Sequence, residues 1–147
     1  MKSIFDEATI NELVSRIDKL NENSERKWGK MTVGQMAWHC QYPLKIAIDN
    51  KPSSKKGNFF AQLFFKKSMY NDNPWRKNLP TAPQLKAREP KNFSDEIKLL
   101  RQLILDAHET KIRENWNPHP VFGSYTKEQW GQMEYKHLDH HLRQFGV

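Results

Sequence analysis

The sequence has few of the features that crosslink or anchor a protein. It contains one cysteine, Cys40, among 147 residues, so an intramolecular disulfide is excluded. No apolar run approaches the roughly twenty residues that a membrane-spanning helix needs, and the N-terminal segment lacks the apolar stretch of a secretory signal peptide. We therefore expect one cytoplasmic domain over residues 1–147, large enough to bury a core without disulfide bonds.

The alternating pattern typical of β-strands is also lacking, whereas four segments carry an apolar stripe at helical spacing. These stripes predict helices near residues 6–20, 32–49, 94–113 and 126–145. Helices with one apolar face each bury those faces against one another. The predicted fold is therefore all-α, an antiparallel four-helix bundle with a long basic connection between the second and third helices.

Two of the predicted helices begin with the same local signal. Thr32 and Gln35 form a capping-box pattern at the start of the second helix, with methionines on either side in the positions of a hydrophobic staple. Thr126 and Gln129 repeat the pattern before the last helix, flanked by Tyr125 and Trp130. The third helix has a less definite start, at Asn92 or Ser94.

The formal net charge of +7 is concentrated in the connection between the second and third helices. Residues 51–91 contain ten Lys or Arg side chains against Asp72 and Glu89. Such a segment can bind phosphates, an anionic membrane surface or an acidic substrate. Alternatively, it is only a solvated face. Its aromatic run, residues 59–65, predicts a short helix that contacts a membrane or partner, or that covers one end of the core.

Histidines are concentrated at the other end of the chain. His137 and His141 lie one turn apart, on a stripe shared with Trp130, Met133 and Phe145. Two interpretations remain open, because inward-facing imidazoles at this spacing can converge on a metal ion or can be hydrogen-bonded core residues. The neighbouring His140 falls at the edge of the stripe, in a solvent-facing or supporting position.

A catalytic metal site commonly uses three protein ligands and leaves one position open, so a third inward histidine is needed. His39 lies on the apolar stripe of the second helix, two turns from Thr32. Pro43 follows four residues later, where it either loosens the backbone beside a ligand or only bends the helix around the core. The adjacent Cys40 diverges by about 100° and is interpreted as a small core residue.

Several motifs together resemble one known family. They are Trp28-Gly-Lys-Met-Thr-Val-Gly-Gln-Met-Ala-Trp-His39, His119-Pro-Val-Phe-Gly123, Thr126-Lys-Glu-Gln-Trp-Gly131 and the run over residues 135–147. This combination resembles the DinB-like superfamily, in one of its uncharacterised branches. The resemblance implies a four-helix bundle, often dimeric, and a divalent metal held by His39, His137 and His141. Assayed members of that superfamily include metal-dependent thiol transferases, which implies a low-molecular-weight thiol as one reactant.

The leading functional hypothesis is a metal-dependent transferase or hydrolase acting on a small molecule. Neutral imidazoles suit zinc, nickel, copper and iron alike, and we expect zinc or nickel here. Glu134, one turn before His137, is the candidate general base, although a solvent-facing partner of a lysine fits the sequence equally well. Gln35 and Gln144 are candidate hydrogen-bond partners of the ligands.

Two other classes of function stay open. The first is a non-enzymatic bundle with a structural metal. A structural zinc site normally has four protein ligands, whereas this sequence offers three. The second is a nucleic-acid or membrane-surface module built on residues 51–91, which ranks last because no nucleic-acid motif accompanies the charge. We expect no specific nucleic-acid binding. His108 and His119 are interpreted as structural or surface groups, with the loop at His119 as a candidate rim of the metal site.

Overall fold

A computed structural model describes residues 1–53, 57–81 and 83–147, and this part of the chain is all-helical. Its six helices are α1 (Glu7–Ile17), α2 (Val33–Asp49), α3 (Phe59–Phe64), α4 (Lys66–Met69), α5 (Phe93–Glu109) and α6 (Lys127–Gln144). Short 3₁₀ turns cover Pro83–Leu85 and Thr110–Ile112. Within these described ranges there is no strand, and no helix has the length and apolar character needed to span a bilayer.

The four predicted long helices are present, with ends that differ by a few residues. Both capping boxes form, since the hydroxyls of Thr32 and Thr126 accept from the backbone amides of Gln35 and Gln129. The start of α5 is settled in favour of Asn92, whose side chain accepts from the amide of Asp95. The capping boxes fix where α2 and α6 begin, and therefore which faces carry the histidines.

The core lies among the four long helices. α2 packs along α5 and also against α6, while α1 packs against α5 and α6. The fully enclosed side chains of this core include Leu13, Met36, Leu44, Leu100, Ile104 and Leu138. A second, smaller cluster surrounds Trp130 at the start of α6, where its ring meets Tyr125 edge-on at a centroid distance of 5.6 Å. The staple predicted from these two aromatic residues is thus formed.

The connection between α2 and α5 follows its predicted course only in part. Its aromatic run does form a short helix, α3, followed by the unpredicted helix α4. The interpretation of this run as a cover for the core is wrong, because α3 buries none of its residues and Phe59 and Phe64 are 71% and 65% exposed. Part of the predicted basic segment, residues 54–56 and 82, lies outside the described residues.

Candidate metal centre

The three predicted histidines meet at one point inside the protein. His39 comes from α2, and His137 and His141 come from successive turns of α6. Each is less than a tenth exposed, and each offers a ring nitrogen within 4.8 Å of the others. The ring centroids of His137 and His141 are 4.8 Å apart, and that of His39 lies 5.1 and 4.7 Å from them. The prediction that these imidazoles converge is confirmed.

His39 is oriented by the backbone of the basic connection. Its Nδ1 lies 3.0 Å from the carbonyl oxygen of Leu85, in the 3₁₀ turn that precedes α5. Since a carbonyl can only accept, Nδ1 carries the hydrogen and Nε2 keeps its lone pair. That Nε2 faces the Nε2 of His137 at 3.1 Å. The lone pair on Nε2 of His39 therefore points into the cluster.

His141 is oriented in the same way by the end of its own helix. Its Nδ1 lies 2.9 Å from Oε1 of Gln144, whose amide nitrogen donates to the carbonyl of Trp28 at 2.8 Å. The bond to Trp28 fixes the amide so that its oxygen faces the ring, and an amide oxygen accepts a hydrogen. Nε2 of His141 then keeps its lone pair, and the hydrogen bond predicted between Gln144 and a histidine of the cluster is present.

Within the described part of the chain, His137 lacks the orienting hydrogen bond that the other two histidines have. Its Nε2 faces His39, and its Nδ1 has no hydrogen-bond partner among the described residues. Burial and the neighbouring imidazoles hold its pKa well below the ordinary value. Burial and His39 likewise lower the pKa of His141 to about 3, and burial lowers that of His39. At neutral pH the cluster therefore presents neutral imidazoles, the form that binds metals.

These residues fit a divalent metal ion. The Nε2 atoms of His39 and His141 are aimed inward by hydrogen bonds on Nδ1, an arrangement usual for histidines that can bind a metal. The Nε2 atoms of His39 and His137 are only 3.1 Å apart. Two lone pairs at this distance repel each other unless a proton or a cation lies between them. The grouping contains three histidines and, within the described residues, no further side chain of metal-binding type. Such a set leaves a coordination position open.

Glu134 lies one turn before His137 on α6 and is 1% exposed. Neither carboxylate oxygen has a hydrogen-bond partner in the described part of the chain. Burial raises its pKa to about 8, so the carboxyl group is mostly protonated at neutral pH. The alternative interpretation, a solvent-facing partner of a lysine, is wrong because the side chain is buried away from solvent.

The remaining predicted residues are not members of the three-histidine cluster. Gln35 completes its capping box and donates to the carbonyls of Ala87 and Glu89, so it supports the connection instead of a ligand. Cys40 is buried in the core, and burial raises its thiol pKa. His140 is half-buried beside His141, at a ring distance of 5.1 Å.

The other two buried histidines have local structural partners. His108 donates from Nδ1 to the carbonyl of Ile4 at 2.7 Å, which ties α5 to the N-terminal segment. Nδ1 of His119 accepts from the amides of Val121 and Phe122, and burial lowers its pKa to about 4. Its ring packs on Trp130, in the smaller cluster, which contains none of the three converging histidines, so the loop is not placed as a rim of that site.

The sequence did not reveal the part that the basic connection takes in the site. Trp75 contacts the rings of both His137 and His140, at centroid distances of 5.9 and 5.6 Å. Lys136, buried on α6, donates to the carbonyls of Ser68 and Asn71 and so holds this segment against the helix. The available sequence signal for this contact was Lys136, which directly precedes His137.

A comparison with protein-family models identifies the family of this chain. The family model described as "Protein of unknown function (DUF1569)" matches residues 5–146. The chain belongs to this family. No curated protein and no solved structure matches it. The match covers all three histidines, yet a family of unknown function names neither a metal nor a reaction.

Proposed function

We propose that this protein binds a divalent metal ion, zinc or nickel, through His39, His137 and His141. The observation that carries the proposal is the convergence of three buried imidazole nitrogens within 4.8 Å of one another. Hydrogen bonds from Nδ1 to Leu85 and Gln144 orient two of these imidazoles. Burying three imidazoles together would otherwise leave polar nitrogens without compensation.

The bound metal would serve a reaction on a small molecule, with hydrolysis and transfer to a low-molecular-weight thiol as the two classes. A divalent ion with an open position polarises a bound group and lowers the pKa of water or thiol. Glu134 is the proposed proton acceptor. At a pKa near 8 only the minority of ionised carboxyl groups can accept a proton at neutral pH, and a general base works best when its pKa is close to the working pH.

The resemblance to the DinB-like superfamily supports two finer structural proposals. α1, α2, α5 and α6 would form an antiparallel four-helix bundle of that type, and the chain would form a homodimer. The packing of α2 against α5 and α6, and of α1 against the same two helices, supports the bundle. Sedimentation analysis of the purified protein tests the dimer.

Elemental analysis tests the metal directly. The protein is purified without a nickel column and without chelators, and a second sample is stripped and reloaded with zinc. We expect about one equivalent of metal in the reloaded sample, and none in a His137→Ala variant treated identically. A metal-free reloaded protein would remove the proposal.

Turnover distinguishes a catalytic metal from a structural one. Thiol-transfer and hydrolytic substrates are screened with the zinc-loaded and nickel-loaded protein. On any active substrate, Glu134→Gln is expected to lower turnover while leaving metal content nearly intact, because a proton acceptor does not coordinate the ion. Loss of thermal stability on metal removal, without turnover on any substrate, would favour the structural alternative.

A further inference from the structure

A groove of about 470 Å³ runs along the surface beside the histidine cluster. Trp28 and Trp75 line it, and the half-buried ring of His140 lies between them, 5.8 and 5.6 Å from their ring centroids. Trp75 and His140 also contact His137 and His141, so they form a shared wall between the groove and the cluster.

Both tryptophans are held in place by residues of α6. The carbonyl of Trp28 accepts from Gln144, the residue that orients His141. The indole nitrogen of Trp75 donates to the carbonyl of Ser68 at 2.8 Å, and Lys136 donates to the same carbonyl at 2.7 Å. The aromatic walls are therefore preorganised by the helix that carries two of the histidines.

The charge of the groove is strongly positive. Its lining includes the cations Lys27, Lys77, Lys136 and Arg143 against one acidic side chain, Asp139, and the terminal residue Val147, whose oxygen accepts from Arg16 at 3.0 Å. The carboxylate of Asp139 is already paired, at 2.8 Å with Arg16 and at 2.9 Å with Arg143.

Two of the cations are available to a ligand. Lys27 and Lys77 are exposed, and no ion pair joins either to a carboxylate in the described part of the chain. The ammonium of Lys77 lies over the ring of Trp28, 4.8 Å from its centre. A cation beside a flat aromatic surface suits a ligand that has both an anionic group and a planar apolar part.

We propose that this groove binds a small anionic molecule with a planar apolar portion, whose carboxylate or phosphate group is held by Lys27 and Lys77 and whose planar part packs on Trp28 and Trp75. Calling this ligand the substrate rests on the proposed function. The binding site itself does not, because none of its proposed contacts is a metal ligand.

The probe is phenyl phosphate, titrated calorimetrically at low ionic strength against benzyl alcohol, benzylammonium and inorganic phosphate. Saturable binding of phenyl phosphate is expected, with weaker binding of inorganic phosphate and none of the neutral or cationic analogues. Benzylammonium binding as tightly as phenyl phosphate would overturn the proposed charge preference. Absence of saturable phenyl phosphate binding would overturn the site.

Matched charge reversals locate the binding. The variant Lys27→Glu/Lys77→Glu is compared with Lys19→Glu/Lys98→Glu, which makes the same change in net charge at exposed positions outside the groove. Affinity for phenyl phosphate should fall at least about tenfold in the first and less than about twofold in the second. Equal losses would show that only the overall charge attracts the probe. Trp75→Ala should weaken phenyl phosphate more than inorganic phosphate, and equal weakening would remove the stacking contact.

The same titration on a His39→Ala variant separates this proposal from the metal proposal. Phenyl phosphate should bind that variant within about threefold of the original affinity, since His39 does not line the groove. Binding that persists in a protein unable to hold metal would support the groove alone. Metal binding without saturable phenyl phosphate binding would leave the metal proposal intact and overturn the groove.

Discussion

The two halves of α6 bury polar side chains in different ways. In the C-terminal half, His137 and His141 face a third imidazole, and Gln144 orients one of them through a hydrogen bond of 2.9 Å. In the N-terminal half, Trp130 and Glu134 have polar side-chain atoms without hydrogen-bond partners among the described residues. Burial of polar groups is common to both halves, but only the C-terminal half combines it with convergence and orientation. That combination distinguishes a candidate metal site from isolated buried polar groups.

The largest effect is expected from removing the converging histidines. His39→Ala, His137→Ala and His141→Ala should each weaken zinc binding by orders of magnitude, because each removes one of three ligands. Competition titration against a chromophoric chelator measures the affinity, and circular dichroism shows whether each variant is folded.

His119→Gln is the matched control, since His119 is also buried but contacts Trp130 instead of the cluster. It should bind zinc as the unmodified protein does. Retention of full affinity by His137→Ala would show that convergence in the C-terminal half does not create a metal site.

The buried carboxyl group of Glu134, in the N-terminal half of α6, should make the free energy of unfolding depend on pH. Glu134 has a pKa of about 8 in the folded state against an ordinary value of 4.5, so the folded state holds a proton that the unfolded state releases. The stability that Glu134 contributes to the folded state is fully present below pH 4.5, declines as the pH rises and is lost above pH 8. Between pH 5 and 8 the free energy of unfolding should fall by about 3 kcal/mol from this group.

Glu134→Gln should remove that decline, and urea denaturation of the stripped protein at several pH values measures it. Glu128→Gln is the control on the same helix, because Glu128 is exposed and its pKa is lowered, which places its effect at more acidic pH. An unchanged pH profile in Glu134→Gln would show that the carboxyl group is solvated in the folded protein.

The parts of the site that were predictable lie on regular helices with clear start signals. Thr32 and Thr126 fix the first turns of α2 and α6, and helical spacing then places His39, His137 and His141 on inward faces. Convergence of the two faces follows once α2 packs against α6. The search for a third inward histidine and the family resemblance both paired His39 with the C-terminal histidines.

The contribution of the basic connection could not be predicted, for two physical reasons. Leu85 acts through its backbone carbonyl, which every residue type carries, so no sequence pattern marks it. Trp75 reaches the site because Lys136 holds the preceding segment through backbone carbonyls. Contacts of this kind depend on the path of an irregular chain, about which helical periodicity contains no information.

A smaller effect is expected from Gln144, which belongs to the C-terminal half without being a ligand. Gln144→Leu removes the acceptor that fixes the hydrogen on Nδ1 of His141. Such supporting contacts typically change metal affinity by about 10–100-fold. The chelator competition measures this, with Gln132→Leu on the same helix as the control. Equal affinities in the two variants would show that convergence alone, without orientation, accounts for binding.

The smallest effect is expected from His140, which tests whether proximity to the cluster is sufficient for a role in it. Its ring lies 5.1 Å from that of His141, closer than the 5.9 Å between Trp75 and His137, yet it faces the groove between two tryptophans. No hydrogen bond joins it to the three histidines in the described part of the chain. His140→Ala should therefore lower zinc affinity less than about tenfold, below the range typical of a supporting hydrogen bond. If His140→Ala abolished binding while His137→Ala retained it, the helical phase of the cluster would be wrong, and the ligand set would have to be drawn from the other side of α6.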